Sequence, residues 1–215
     1  MGGLLDILRD DPLTFVLLAV SLLEAIALHE FAHALAADLQ GDRLPRALGR
    51  LTLNPVKHLD PLGTILLFLA GFGWGKPVEF RREALSSKRF GAALVALAGP
   101  MMNLLLAFTA SIPLSFICDE FDLSCSSRGV IPSFLMIFVF LNVVLAVFNL
   151  LPLPPLDGSR LLTIFLPPSK QNIIFFLDRY GILILLALLL FDVLPRIFNP
   201  LIDFALGVLL GLVGL

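Results

Sequence analysis

Long apolar runs constrain this chain more than any other feature of its sequence. A helix that crosses a bilayer needs about 20 mostly apolar residues. Five runs meet this length, whereas Leu62–Gly73 is too short to cross unaided. The five predicted membrane segments are Leu13–Leu39, Phe90–Ile117, Ile131–Leu151, Ile173–Leu194 and Ile197–Leu215. With a mean hydropathy of +0.97 and 15% charged residues, the chain is predicted to be an all-α polytopic protein of the lipid bilayer.

The basic residues predict how these segments are oriented. Nine of the 15 Lys and Arg residues fall at 41–59 and 76–90, on either side of Leu62–Gly73. Cytoplasmic loops are enriched in these residues, so both clusters face the cytoplasm if Leu62–Gly73 enters the membrane and returns. We therefore expect a re-entrant or interfacial helix there, followed by a short extended piece, Pro77–Phe80. The formal net charge of −2 gives no footprint for nucleic acid.

The cysteines occupy the opposite side of the membrane in this topology. Cys118 and Cys125 share one short, acidic loop between the predicted segments Phe90–Ile117 and Ile131–Leu151. An oxidising compartment would allow them to form a disulfide, and two unpaired thiols are the alternative. The start of the chain carries Asp6 and Asp10 rather than a basic signal-peptide region, so the first segment is expected to stay in the mature protein.

Two histidines and a glutamate interrupt the first apolar run, at His29, Glu30 and His33. Ionisable side chains at bilayer depth are expensive and indicate a functional site by default. Residues four apart share one helix face, so both imidazoles can bind one metal ion while Glu30 acts as a general base. The alternative is a helix whose histidines only hydrogen-bond to neighbouring helices.

A catalytic zinc usually has three protein ligands, so a third is needed. Three prolines within residues 152–155 end the helix before Asp157, and unwound backbone near the membrane is tolerated only inside protein or beside a wet cavity. Asp157 is therefore either a ligand or the cap of a helix that begins near Ser159. The topology places it at a depth similar to that of His29 and His33, toward the cytoplasm.

Three other polar residues are weaker candidates. His58 precedes Asp60-Pro61, which is typical of a helix start, so we expect it to order a cytoplasmic turn, with metal ligation as the alternative. Asn103 needs a hydrogen-bond partner in its apolar segment, either for helix packing or for a direct role in chemistry. Glu24 is interpreted as a packing or gating group rather than a second metal site.

The motifs together resemble those of the site-2 protease family of intramembrane zinc metalloproteases. His29–His33 matches HExxH, Gly99–Asn103 matches GxxxN, and Asn149–Gly158 matches NxxPxPxxDG. The resemblance covers about residues 13–165 and is to the compact prokaryotic members, which have no PDZ or CBS domain. It implies a single membrane-embedded domain over 1–215, with a three-helix catalytic core at about 13–165 and two C-terminal helices at about 173–215.

The resemblance also implies roles for individual residues. One Zn²⁺ would be bound by His29, His33 and Asp157, with Glu30 as the base. Asn149 and Asn103 would contact substrate or transition state, and the stretch Lys76, Pro77 and Val78 would pair with an unwound substrate strand. The implied function is hydrolysis of transmembrane proteins, in regulated intramembrane proteolysis, from the cytoplasmic side of a prokaryotic inner membrane. A non-catalytic metal-binding membrane protein, either a transporter or a pseudoprotease, is the alternative, and the oligomeric state is left open.

Overall fold

The computed structural model describes residues 4–70, 73, 75–165 and 171–215. Within these ranges the regular structure is helical. The α-helices, in chain order, are α1 Leu4–Asp10, α2 Pro12–Leu39, α3 Leu44–Ala47, α4 Pro61–Ala70, α5 Lys88–Ser115, α6 Leu123–Ser126, α7 Val130–Asn149, α8 Gly158–Phe165, α9 Gln171–Leu190 and α10 Val193–Gly211. Short 3₁₀ turns form at Pro55–Lys57 and Arg82–Ala84.

Four helices in the described part of the chain are long and apolar enough to cross a membrane. They are Pro12–Leu39, Phe90–Ser115, Val130–Asn149 and Val193–Gly211. The all-α polytopic fold predicted from the apolar runs is thus confirmed. The predicted run Ile173–Leu194 forms α9, and its crossing of the membrane stays a prediction. The helix α9 ends at Leu190, four residues before the end of the predicted run, because Asp192 adopts a left-handed conformation with φ 57°.

The core of the molecule is the mutual packing of α2, α5 and α7, each of which contacts the other two. Small residues dominate where these helices meet, and they let helix backbones approach closely in a membrane. Fully or almost fully buried examples are Ala25, Ala34 and Ala37 of α2, Ala92, Ala93 and Ala107 of α5, and Ala146 of α7. This is the expected three-helix core.

The helix α4 lies where the re-entrant segment was predicted. Asp60 begins it by accepting a hydrogen bond from the Gly63 backbone N–H at 2.8 Å, and Pro61 occupies its first position. Its 10 residues span about 15 Å, half the thickness of a hydrocarbon core. Gly71, Phe72 and Trp74, at the end of this predicted segment, lie outside the described residues.

The short extended piece expected at Pro77–Phe80 has no strand partner among the described residues, so it is not part of a sheet. Among the described residues the only β pairing here is an isolated bridge between Leu59 and Gly75. Side chains rather than a neighbouring strand bind the following backbone groups: Arg50 donates to the Pro77 carbonyl at 3.1 Å, and Asp42 accepts from the Arg81 N–H at 2.5 Å. The chain is therefore held in place here without a ladder.

A disulfide closes the far end of the core. Cys118 and Cys125 are bonded, with their Cα atoms 5.4 Å apart, and both pack with Leu114 in a buried cluster. The bond lies past the end of α5, at the opposite end of that helix from Lys88. Of the two alternatives for the cysteines, the structure shows the paired one.

Candidate metal centre

Three side chains from distant parts of the chain converge at one point. His29 and His33 lie one turn apart on α2, and Asp157 lies on the irregular stretch between α7 and α8. The Nε2 atoms of the two histidines are 3.0 Å apart, and Asp157 Oδ2 is 3.0 Å from the first and 3.2 Å from the second. Ligand bonds of about 2.0–2.1 Å in tetrahedral geometry require ligand atoms roughly 3.4 Å apart, so the spacing fits one small cation.

The hydrogen-bond partner of His29 fixes which of its ring nitrogens carries the proton. Asn103 uses its amide N–H groups on the Ala25 carbonyl at 3.2 Å and on Asn142 Oδ1 at 2.8 Å. Its carbonyl oxygen therefore faces His29 Nδ1, at 2.5 Å. Since an amide oxygen only accepts, Nδ1 carries the hydrogen and Nε2 presents a lone pair to the centre.

The same logic holds for His33. Its Nδ1 lies 2.7 Å from the backbone carbonyl oxygen of Val95, on α5. A carbonyl oxygen is an acceptor, so His33 Nδ1 is the donor and Nε2 again carries a lone pair. Metal-bound histidines almost always donate their second ring N–H to an oxygen in this way.

Two imidazole lone pairs and a carboxylate oxygen thus face one another in a buried site. Each histidine is 6% exposed, so water is largely excluded from them. With both imidazoles neutral, none of the three facing atoms can donate a hydrogen to the others, and a cation between them satisfies all three. The donor set of two nitrogens and one oxygen is one that Zn²⁺ takes in catalytic sites. The residues therefore fit a metal ion.

Gly99 leaves the space that this cluster needs. A Cβ placed on Gly99 would lie 2.4 Å from His33 Nε2 and 2.5 Å from His29 Nε2, well inside contact distance. Any larger residue on this turn of α5 would occupy the point at which the two rings meet. The close approach of α5 to α2 at this glycine is therefore a requirement of the site.

Glu30 lies beside the cluster with one oxygen unused. Its Oε2 atom is buried and has no hydrogen-bond partner among the described residues. Its Oε1 atom faces the segment after α4, since a Cβ placed on Gly75 would lie 3.5 Å from it. A carboxylate left without a donor next to a metal centre is suited to accept a proton from a reactant.

His58 holds this segment and lies outside the ligand cluster. Its buried ring donates from Nε2 to the Thr52 carbonyl at 2.8 Å, and its own carbonyl accepts from the Lys76 N–H at 2.7 Å. Arg50 donates to the carbonyl groups of Lys57 and Pro77, so it also connects the turn before α4 to the segment after it. These bonds match the turn-ordering role expected for His58.

Asn149 and Glu24 lie outside the three-residue ligand cluster. Asn149 ends α7, where its amide donates to the Leu145 carbonyl at 3.0 Å. Glu24 is exposed on α2, on the side of that helix away from the histidines. The capping alternative for Asp157 is not seen, because the bonds of its carboxylate go to the histidines.

Sequence reasoning missed Asn142 and the carbonyl of Val95. Asn142 is fully buried on α7 and anchors Asn103 to a second helix. Asn142 is a polar side chain inside an apolar run, the same signal in the sequence that marks Asn103. Nothing in the sequence distinguishes the Val95 carbonyl, because every residue has one.

The fold and the centre define a polytopic helical membrane protein with a buried two-histidine, one-aspartate cluster suited to a metal ion. A family model described as peptidase family M50 matches residues 17–119 and 117–190, and the chain belongs to that family. It is 42% identical over 173 residues to "Putative zinc metalloprotease YwhC" of Bacillus subtilis, covering 80% of this chain and 78% of the relative. It is 33% identical over 194 residues to "Putative zinc metalloprotease Rip2" of Mycolicibacterium smegmatis, covering 87% and 72%. No solved structure gives a significant match.

Proposed function

We propose that this protein is a zinc metalloprotease that hydrolyses peptide bonds in or near the transmembrane segments of other membrane proteins. The convergence of three lone pairs from His29, His33 and Asp157 is the observation that carries the proposal. Family membership and the names of the relatives support zinc as the ion and peptide hydrolysis as the reaction.

The chain's own residues divide the work. His29, His33 and Asp157 hold the ion, and Asn103 and Val95 fix the imidazole tautomers that leave both Nε2 atoms free. Zinc, when bound, acts as a Lewis acid on the scissile carbonyl and lowers the pKa of water toward neutrality.

Glu30 moves the proton. Its Oε2, which has no hydrogen-bond partner within the described part of the chain, accepts the proton of the attacking water, and the protonated acid then donates it to the leaving amine. The proton thus starts on water and ends on the new amino terminus, so Glu30 returns to its carboxylate form.

The segment after α4 is suited to hold an extended substrate. A helical substrate hides its amide groups and must unwind before an edge can pair with it. The backbone groups of Val78, Glu79 and Phe80 make no hydrogen bond to another described residue, while Lys76 and Pro77 are tied down by His58 and Arg50. Lys76 and Pro77 therefore fix the position of the segment, and Val78 is the first residue whose backbone groups are available to pair with a substrate. Asn149, close to Asp157 in sequence, is proposed to contact the substrate or its transition state.

The charge distribution supports a cytoplasmic active site in the inner membrane of a prokaryotic cell. The basic residues at 41–59 and 76–90 lie on either side of α4 and the adjoining Gly75, which is close to Glu30, and this favours a centre toward the positive-inside face. The disulfide at Cys118–Cys125 lies at the other end of α5, where an oxidising compartment suits it.

The test compares Glu30→Gln with Glu24→Gln in purified protein. Both variants lose one carboxylate from α2, but only Glu30 lies beside the cluster. Glu30→Gln is expected to keep zinc and to lose cleavage of transmembrane peptides by a factor of about 100 or more, because it cannot accept the proton. Glu24→Gln should cleave like the wild type.

The peptide panel tests the substrate class. Transmembrane peptides with helix-breaking residues should be cleaved in vesicles, whereas a soluble extended peptide should be cleaved poorly. Wild-type cleavage by Glu30→Gln contradicts the mechanism. Zinc binding without cleavage of any peptide by the wild type would favour the alternative, a non-catalytic transporter or pseudoprotease.

A further inference from the structure

The stretch that carries Asp157 has little structure of its own. Residues 150–157 join α7 to α8, and the prolines among them cannot donate backbone hydrogen bonds. The Leu156 N–H donates to the Leu153 carbonyl at 2.9 Å, and the Ser159 and Arg160 N–H groups at the start of α8 donate to the Leu156 and Asp157 carbonyls at 3.1 and 2.9 Å. These bonds order the end of the loop, so the position of its middle, around Pro154, depends on the elements that pack against it.

Gly181 of α9 is in direct contact with this loop. A Cβ placed on Gly181 would lie 2.3 Å from the Pro154 carbonyl oxygen and 3.0 Å from both its carbonyl carbon and its Cβ. All three atoms belong to one buried residue, and two of them are backbone, so they cannot turn aside as a flexible side chain would. The glycine is needed here for space rather than for an unusual φ.

Leu185, one turn further along α9, holds the same loop from the apolar side. It is 3% exposed and packs in a buried cluster with Leu156, which is 7% exposed and directly precedes Asp157. Leu194 and Phe198 of α10 complete this cluster. The burial of Leu156 therefore depends on the C-terminal helices and not only on the three-helix core.

Asp178, one turn before Gly181, faces the other flank of Asp157. Its Oδ1 lies 3.8 Å from a guanidinium nitrogen of Arg160, in an ion pair whose side chains are 41% and 42% exposed. Exposed ion pairs of this kind contribute little to stability, so we expect this pair to orient the two segments without fixing the distance between them.

We infer that α9 positions the proposed metal ligand Asp157, with Gly181 as the residue that sets the distance. Positions 178, 181 and 185 share one face of α9, and they meet residues 160, 154 and 156 on either side of Asp157. The inference rests on the metal site proposed above and extends it, since α9 lies outside the three-helix core that supplies the histidines.

The consequence for the centre follows from the distances. Moving the Pro154 oxygen from 2.3 to 3.0 Å from an alanine Cβ at position 181 shifts the loop by about 0.7 Å. Metal–ligand distances in a well-formed site lie within about 0.2 Å of their standard values. A shift of that size three residues before Asp157 takes its carboxylate out of the range of an ion held by the two imidazoles.

The experiment compares Gly181→Ala with Gly207→Ala in the full-length protein in detergent. Both place the same methyl group on a long C-terminal helix, but nothing lies within 4 Å of a Cβ on Gly207. Zinc affinity is measured by competition with a chelator, the electronic spectrum of the Co²⁺-substituted protein reports the ligand geometry, and thermal unfolding reports the fold. Gly181→Ala is expected to bind zinc about tenfold or more weakly and to change the Co²⁺ spectrum, with Gly207→Ala within twofold of the wild type.

A second variant keeps the test decisive if Gly181→Ala does not fold. Leu185→Ala removes the contact with Leu156 without adding an atom, and it should also weaken zinc binding and alter the Co²⁺ spectrum. Wild-type affinity and spectrum in a folded Gly181→Ala, or in Leu185→Ala where the first does not fold, would overturn the inference while leaving the metal site intact. Absence of zinc binding by the wild type and by Gly207→Ala would instead overturn the proposed function.

Discussion

Replacing Asn103 by alanine separates ligand positioning from general stability. The Asn103 side chain accepts from His29 Nδ1 and donates to the Ala25 carbonyl and to Asn142 Oδ1, so it joins α5 to α2 and α7 at once. Its loss leaves the buried His29 N–H without its acceptor and the ring free to turn. Loss of such an outer partner typically lowers metal affinity about 10- to 100-fold, or about 1.4–2.7 kcal/mol.

The same substitution carries a separate stability cost. Asn142 Oδ1 is left buried without its donor, which costs about 1–3 kcal/mol. Asn142→Ala removes this link but leaves the bond to His29, so it should lower the unfolding temperature with little change in zinc affinity. Thr109→Ala, on the exposed side of α5, is the neutral control. Zinc affinity is measured by chelator competition at one pH, and equal affinity in Asn103→Ala and the wild type would refute the argument.

Three further predictions test other parts of the structure. Gly99→Ala places a methyl group 2.4–2.5 Å from both Nε2 atoms, so metal analysis should find no zinc after dialysis, and retained zinc would contradict the packing described here. Burial raises the pKa of Asp42, but hydrogen bonds from the backbone N–H groups of Arg81 and Leu44 and the Arg81 guanidinium outweigh it and lower the pKa below its usual range. The stability that this gives is present above about pH 4 and is lost as the pH falls toward the lowered pKa, so thermal unfolding of Asp42→Asn should depend less on pH there than that of the wild type. Cys118 and Cys125 should react with a membrane-impermeant maleimide only after reduction and only from the non-cytoplasmic face, and labelling of unreduced cells or from the cytoplasmic face would contradict the pairing or the topology.

The sequence was sufficient to predict that His29, His33 and Asp157 lie at a similar depth, because this prediction needs only local and topological information. A spacing of four residues puts His29 and His33 on one helix face whatever surrounds them. Counting membrane segments put Asp157 at a similar depth, and the prolines before it predicted a break in the helix. Neither step depends on side-chain packing, which is why both can be made from the sequence.

The features that sequence reasoning missed depend on packing between distant segments. The hydrogen bond to the Val95 carbonyl and the contact of Gly181 with Pro154 form only when the helices pack together. Nothing in the sequence distinguishes this carbonyl or this glycine from the others in the chain. The contacts that hold the extended piece at Pro77–Phe80 also come from distant segments. Arg50 donates to the Pro77 carbonyl across 27 residues of chain, and Asp42 accepts from the Arg81 N–H across 39 residues.

The central claim is that one cation is held jointly by the two imidazoles and the carboxylate. Its most direct test is the zinc content and X-ray absorption spectrum of the purified wild type and of Asp157→Ala. We expect one zinc per chain in the wild type, bound by two imidazole nitrogens and at least one oxygen at about 2.0–2.2 Å, and loss of that zinc from Asp157→Ala. An Asp157→Ala protein that holds zinc with wild-type affinity and an unchanged spectrum would contradict the claim.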